Sequence, residues 1–176
     1  MTNTATVVAC SDCGVFWYIE HDRPACNAEG HTHAEFQVHV HLSAVMLPDG
    51  TEVNAASFGA RDPYTRERPP DFGLYFDPKW QPPWPYETYA WPDFGVPSDV
   101  VSLFSSLDSL LGRARRGERV ELGCLGGHGR TGTALACLAI LAGCPRADAV
   151  GWVRANYCSH AVETAEQESL PLALDV

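Results

Sequence analysis

Apolar and polar residues alternate over residues 31–42 (HTHAEFQVHVHL), with Phe36, Val38, Val40 and Leu42 on one face and His31, His33, Glu35, Gln37, His39 and His41 on the other. A period of two predicts a half-buried strand, its histidines on the polar face. Pro48-Asp49-Gly50 is a turn, from which residues 52–59 return as the second strand of a hairpin. Residues 60–97 are crowded with Pro, Trp, Tyr and Asp and have no helical period; they predict ordered loop, a lid or pocket wall, broken by one strand at 73–76. Val100, Val101, Phe104, Leu107, Leu110 and Leu111 recur at helical spacing, predicting a helix capped by Ser98 that runs to Arg116 and covers a sheet. A strand at 120–122, a helix at 131–142 and, after the break at Cys144-Pro145, a helix at 146–156 complete the pattern.

At 176 residues and 45% hydrophobic composition, the chain is expected to form one globular unit with a real core. No apolar run is long enough to span a membrane and MTNTATVVAC lacks the regions of a signal peptide, so a cytoplasmic location is the expectation. The net charge is −10 and neither half of the chain is basic, which disfavours nucleic acid and anionic membranes as partners. A small phosphate group entering a locally positive pocket is still allowed. Oligomeric state is not legible.

Residues 120–133 (VELGCLGGHGRTGT) join the predicted strand to a predicted helix through a glycine-rich turn, with Cys124 at one end and Arg130 at the other. Backbone N–H groups of Leu125, Gly126, Gly127, His128 and Gly129 can turn inward at such a junction, toward an anion on the helix dipole. A free thiol is a few per cent ionised at neutral pH; amide dipoles and a guanidinium favour the thiolate, which is the nucleophile. Arg130 offers paired donors for two phosphate oxygens, and Thr131 brings a hydroxyl beside the sulfur. An ATP-binding P-loop is the rival reading, but it needs Gly-Lys-(Ser/Thr) where this chain has Arg130-Thr131.

This stretch resembles the cysteine-dependent phosphatases, the protein tyrosine and dual-specificity group, whose signature is His-Cys-x2-Gly-x2-Arg-(Ser/Thr)-Gly. Cys124, Gly127, Arg130, Thr131 and Gly132 fall on that pattern, and Gly123 stands where the group usually has histidine. Upstream, Trp91-Pro92-Asp93 resembles the same group's Trp-Pro-Asp loop, and residues 161–167 (AVETAEQ) resemble a segment that ends in a glutamine near the active site. The resemblance covers roughly residues 71–170. It implies an α/β fold, a twisted mixed sheet flanked by helices with the nucleophile at a strand's carboxyl end. It further implies that Cys124 attacks phosphorus, residues 125–130 hold the phosphate, Asp93 in its protonated form donates to the leaving oxygen, and Gln167 orients the water that follows. No catalytic cofactor is implied. The substrate class implied is a phosphorylated protein or peptide; a small molecule, an RNA 5′ end, or phospho-ligand binding without efficient turnover are the alternatives. Taken alone, Gln167 reads equally well as a surface residue of a terminal helix, and Trp80, Trp84, Tyr86 and Tyr89 as pocket wall or core.

A second pattern lies near the start. Cys10-x2-Cys13-Gly14 forms a knuckle, and Cys26 and His31 follow at separations usual for a closed four-ligand structural zinc site. His33 is the alternative fourth ligand, and buried thiols beside surface histidines are the plainer reading. The expected organisation is a β-rich, zinc-binding element of residues 1–42 packed on a phosphatase-like domain of residues 43–176, a single globular unit overall. Cys137, Cys144 and Cys158 read as packing residues, with redox partnership to Cys124 as the other possibility. His39 and His41 read as polar-face residues of their strand.

Overall fold

The computed structural model describes residues 3–13, 16–18, 26–57, 64 and 66–174. The described strands are β1 (Asn3–Cys10), β2 (Phe16–Tyr18), β3 (His33–Val40), β4 (Leu42–Met46), β5 (Glu52–Ser57), β6 (Phe72–Tyr75), β7 (Tyr86–Thr88) and β8 (Val120–Cys124). They make two sheets. In the first, β1 lies between β2 and β3 with antiparallel pairing on both sides. The second has the order β4-β5-β8-β6-β7; β4 and β5 form an antiparallel hairpin and every other pairing is parallel.

Parallel strands need crossovers, and these cover the sheet. Helix α1 (Val100–Arg115) and helix α2 (Gly129–Leu141) share one apolar core with β4, β5, β6 and β8, and α3 (Ala149–Asn156) packs on it beyond them. Every residue of α2 from Gly129 to Ile140 is buried, the state expected of a helix that is apolar all round. Leu103, Leu107, Leu110 and Leu111 of α1 are buried, each worth about 1.5–3 kcal/mol. A smaller core of Ala56, Tyr75, Trp80 and Trp84 is separate from that one. There the Tyr75 ring stacks on Trp80 at 4.2 Å. Glu121 is 1% exposed, and a carboxylate at that depth is tolerated because Arg66 holds it bidentately at 2.8 and 2.9 Å and the Tyr75 hydroxyl donates to it at 2.8 Å.

The twisted mixed sheet flanked by helices is as the resemblance implies, with differences in detail. Strand β8 extends to Cys124 and α2 begins at Gly129, so the turn is residues 125–128, two residues shorter at each end than expected. The α1 cap is Asp99, whose carboxylate accepts from the Ser102 amide at 3.0 Å, and not Ser98. Val101 points to solvent and Leu103 takes the buried place expected of it. The alternating stretch 31–42 divides at His41, because β3 pairs with β1 while β4 pairs with β5; Leu42 is consequently exposed. Strand β7 lies in the stretch expected to be loop. Gly14, the last two residues of the predicted return strand (58–59) and the expected facing of side chains 36–40 lie outside the described residues and side chains. Trp80, Trp84 and Trp91 are core, whereas Tyr86 is exposed.

Candidate active site

Cys124 closes β8 at the middle of the larger sheet, with Ser57 of β5 beside it in register. Its thiol is buried, and the Thr131 hydroxyl donates to Sγ at 3.0 Å from the first turn of α2. The turn between them is tied from outside. Ser57 Oγ donates to the Gly126 carbonyl at 3.1 Å and Tyr157 Oη to the Gly127 carbonyl at 2.7 Å. With both carbonyls drawn outward, the N–H groups of Gly127 and His128, on the opposite edges of those peptide planes, face the other way. Gly127 has φ +75°, and a Cβ there would lie 2.5 Å from Ser57 Oγ, so no larger residue fits. Gly123 has a similar steric reason. A Cβ at 123 would sit 2.6 Å from the Ala56 carbonyl oxygen, which leaves no room for the histidine of the phosphatase signature.

Arg130 is 5% exposed, and its guanidinium is held at fixed points. NH1 donates to the Phe76 carbonyl at 2.9 Å and the Trp91 carbonyl at 3.2 Å, while NH2 meets Asp93 Oδ1 at 3.1 Å. Its Nε–H is buried without a hydrogen-bond partner. An unpaired buried donor costs about 1–3 kcal/mol, which an acceptor entering the site would recover. Asp93 lies on an exposed turn closed by Gly95 N–H to the Pro92 carbonyl at 3.2 Å and Trp91 Nε1–H to the Gly95 carbonyl at 2.8 Å.

Gln167 is fully buried, so the surface reading fails. Thr164 caps α4 (Ala165–Ser169), and Gln167 accepts from the Glu163 amide at 3.0 Å and donates to the Gly95 carbonyl at 3.3 Å. A Cβ on Gly129 would stand 2.9 Å from Gln167 Oε1 and 2.3 Å from Glu163 Oε2. Asp93, Arg130 and Gln167 are thereby gathered around one turn. Ser57, Tyr157, Glu163 and Arg154, which donates to the carbonyls of Ala161 and Val162 at 3.0 and 2.9 Å, are neighbours that no sequence signal assigned to the site, and His41, expected on a polar face, is buried with its Nε2 3.0 Å from His128 Nε2. Ser57, Tyr157 and Arg154 belong to no local pattern. Only the 161–167 segment pointed near Glu163.

Burial and the Asp93 carboxylate push the Glu163 pKa up, against the Gly129 amide and Arg130, which lower it. A carboxyl group whose folded pKa is raised costs stability as pH rises from its unfolded value through its folded one. Glu163→Gln removes that cost. Its melting temperature should exceed wild type by a degree or two at pH 7 and by less at pH 4; part exposure keeps the effect small. Thermal denaturation at the two pH values decides, and an equal difference at both would sink this account.

Cys10, Cys13, Cys26 and His31 also come together, their ligand atoms all within 4.8 Å of one another; His33 is not of the group. His31 Nδ1 lies 3.3 Å from Cys10 Sγ and 3.2 Å from Cys26 Sγ. Burial tends to raise the Cys10 thiol, but the Cys13 and Asp12 amides and the neighbouring thiols outweigh it and bring its pKa down to about 6. Three sulfurs and an imidazole around one point, one of them favouring thiolate, fit zinc. Burial, outweighing a backbone hydrogen bond, pushes the Cys137 thiol up to about 12, in keeping with a packing role.

The cysteine at the end of the sheet's middle strand, the tied turn and the arginine of the following helix define the class: the chain has a cysteine-dependent phosphatase-like fold. It is similar to the crystal structure of Tk-PTP in the active form, with 27% identity and a TM-score of 0.58 over 72% of this chain and 92% of that one. It is similar in fold to kinase associated phosphatase with its catalytic-site cysteine changed to serine, at 17% identity and a TM-score of 0.60, covering 74% of this chain and 92% of that one. No protein-family model matches. Two uncharacterized proteins of Methanocaldococcus jannaschii are 42% and 41% identical over 76 residues, 43% of this chain and 50% and 46% of theirs. The chain thus spans about half the length of the curated relatives it matches. Among the described residues, no helix is long and apolar enough to cross a membrane.

Proposed function

We propose that this chain hydrolyses phosphomonoesters through a phosphocysteine intermediate, acting on phosphorylated protein or peptide as a tyrosine or dual-specificity phosphatase. The observation that carries the reading is Arg130, a buried guanidinium beside the cysteine's turn with one N–H unpartnered. Such a donor suits an oxyanion, and its fixed partners leave it no reorganisation to undergo when charge develops.

In this reading the Cys124 thiolate attacks phosphorus in line. Arg130 and the amides of Leu125, Gly126, Gly127, His128 and Gly129 hold the equatorial oxygens. The bond to the leaving oxygen breaks as that oxygen takes the Asp93 proton. Water then attacks the phosphocysteine, giving its proton to the Asp93 carboxylate, with Gln167 orienting it. Sulfur departs as thiolate, stabilised by the Thr131 hydroxyl. Arg130 and the amides supply the charge stabilisation, so the reading calls for no catalytic metal. Cys10, Cys13, Cys26 and His31 hold a structural zinc in a β element of residues 1–42, packed on a phosphatase-like domain of residues 43–176; that, among the described strands, β1, β2 and β3 pair with one another and not with the larger sheet supports the division.

Asp93→Asn is expected to lower kcat by about 10²–10⁴ for phenyl phosphate and phosphotyrosine peptide, the range ordinary for general acid catalysis. With p-nitrophenyl phosphate, whose leaving phenol is far more acidic, the loss should be smaller. Steady-state rates across such a series test both the activity and the acid. No wild-type turnover overturns the function in favour of phospho-ligand binding; a loss independent of the leaving group removes Asp93 from its role.

A further inference from the structure

Beside the same turn, side chains from three separated segments meet. His41, between β3 and β4, is 3% exposed; His128 is in the turn and half-buried; Cys158, just beyond α3, is 6% exposed. Their ligand atoms all lie within 4.8 Å of one another. The two histidine Nε2 atoms are 3.0 Å apart with ring planes at 84°. His160 stands next to them, Nδ1 4.0 Å from Cys158 Sγ and its ring 6.3 Å from that of His128.

We propose that His41, His128 and Cys158 form a second zinc site, its fourth position filled by water or by a shift of His160, which ties the cysteine's turn to the junction of the two sheets and to the segment after α3. Two imidazoles and a thiolate are a borderline-soft donor set that suits zinc over magnesium or calcium. In a tetrahedron with Zn–N near 2.0–2.1 Å and Zn–S near 2.3 Å, nitrogens stand about 3.3 Å apart and nitrogen and sulfur about 3.6 Å. The two Nε2 atoms need to separate by only a few tenths of an ångström. A hydrogen bond between imidazoles explains the histidine pair, but not the convergence of a thiol on the same point. On binding, the Cys158 thiol gives its proton to solvent, and the histidine that carries hydrogen on Nε2 shifts to the Nδ1 tautomer, so that both Nε2 lone pairs face the metal. One proton leaves per zinc.

Metal content of the full-length chain, after incubation with zinc and removal of the excess, tests this. Cys158→Ser, nearly isosteric, should bind one equivalent less than wild type, and so should His41→Gln. In Cys10→Ser/Cys13→Ser, which removes the other cluster, cobalt(II) should still give the intense visible bands of a tetrahedral site and a thiolate charge-transfer band. Adding Cys158→Ser should abolish both. Unchanged metal content in Cys158→Ser, or a cobalt spectrum that survives it, overturns the site. If His41→Gln does not fold, Cys158→Ser alone decides. Each readout is independent of phosphatase activity, so failure here leaves the proposed function standing, and the reverse.

Discussion

Cys124→Ser should lower kcat for aryl phosphate hydrolysis by about 10⁴-fold or more while leaving phosphate binding within a few-fold of wild type. The oxygen it introduces is a weak nucleophile at neutral pH, since a serine hydroxyl does not ionise there and, among the described residues, no histidine or carboxylate is hydrogen-bonded to Sγ as a base. Thr131 donates to Sγ at 3.0 Å; it helps an anion and takes no proton. The phosphate-holding donors are elsewhere, on Arg130 and the turn, so binding and chemistry separate cleanly. Oxygen is smaller than sulfur and Cys124 packs at the edge of the main core, so the substitution leaves the fold intact. Single-turnover kinetics, with competition by inorganic phosphate, check both halves. Activity within tenfold of wild type would mean that the sulfur is not the nucleophile, and the phosphocysteine mechanism would be lost.

The parts of this molecule legible in the sequence are those whose cause is local. A β-strand, a glycine-rich turn and an apolar helix follow one another over residues 120–141, and each is decided by residues within it. The parts that were not legible depend on where the chain goes next. Alternation continues unbroken through His41, because a strand that leaves one sheet for another keeps its period of two; only the pairing partners, β1 before and β5 after, reveal the switch. His41 therefore read as a surface residue although it is buried against His128. Ser57 and Tyr157 act on the turn from 69 and 30 residues away, with no spacing rule to announce them. The same holds for Glu163, whose carboxylate lies against Gly129. Gly123 was readable only as a departure from a pattern. Its reason, a carbonyl of the neighbouring strand 2.6 Å from where a Cβ would be, is a fact of sheet packing.

Arg130→Lys should cost about 10³-fold in kcat/KM, or roughly 4 kcal/mol of transition-state stabilisation, although the charge is kept. The guanidinium makes its contacts in three directions at once: two carbonyls, at Phe76 and Trp91, and the Asp93 carboxylate, with Nε–H still unpartnered. An ammonium is a point charge on a flexible stem and cannot present that fork. If it reaches the phosphate, the two buried carbonyls lose their donor; if it stays with them, the phosphate does. Asp93 also loses its bidentate-capable partner, so the proton donor becomes less well placed as the oxyanion loses its clamp. Stability should fall too, since an unsatisfied buried acceptor costs about 1–3 kcal/mol, seen as a melting temperature several degrees lower. Asp93→Asn in the Arg130→Lys background separates the two roles. If the arginine acts partly by seating Asp93, the losses will be less than additive; strict additivity would leave Arg130 a phosphate clamp alone.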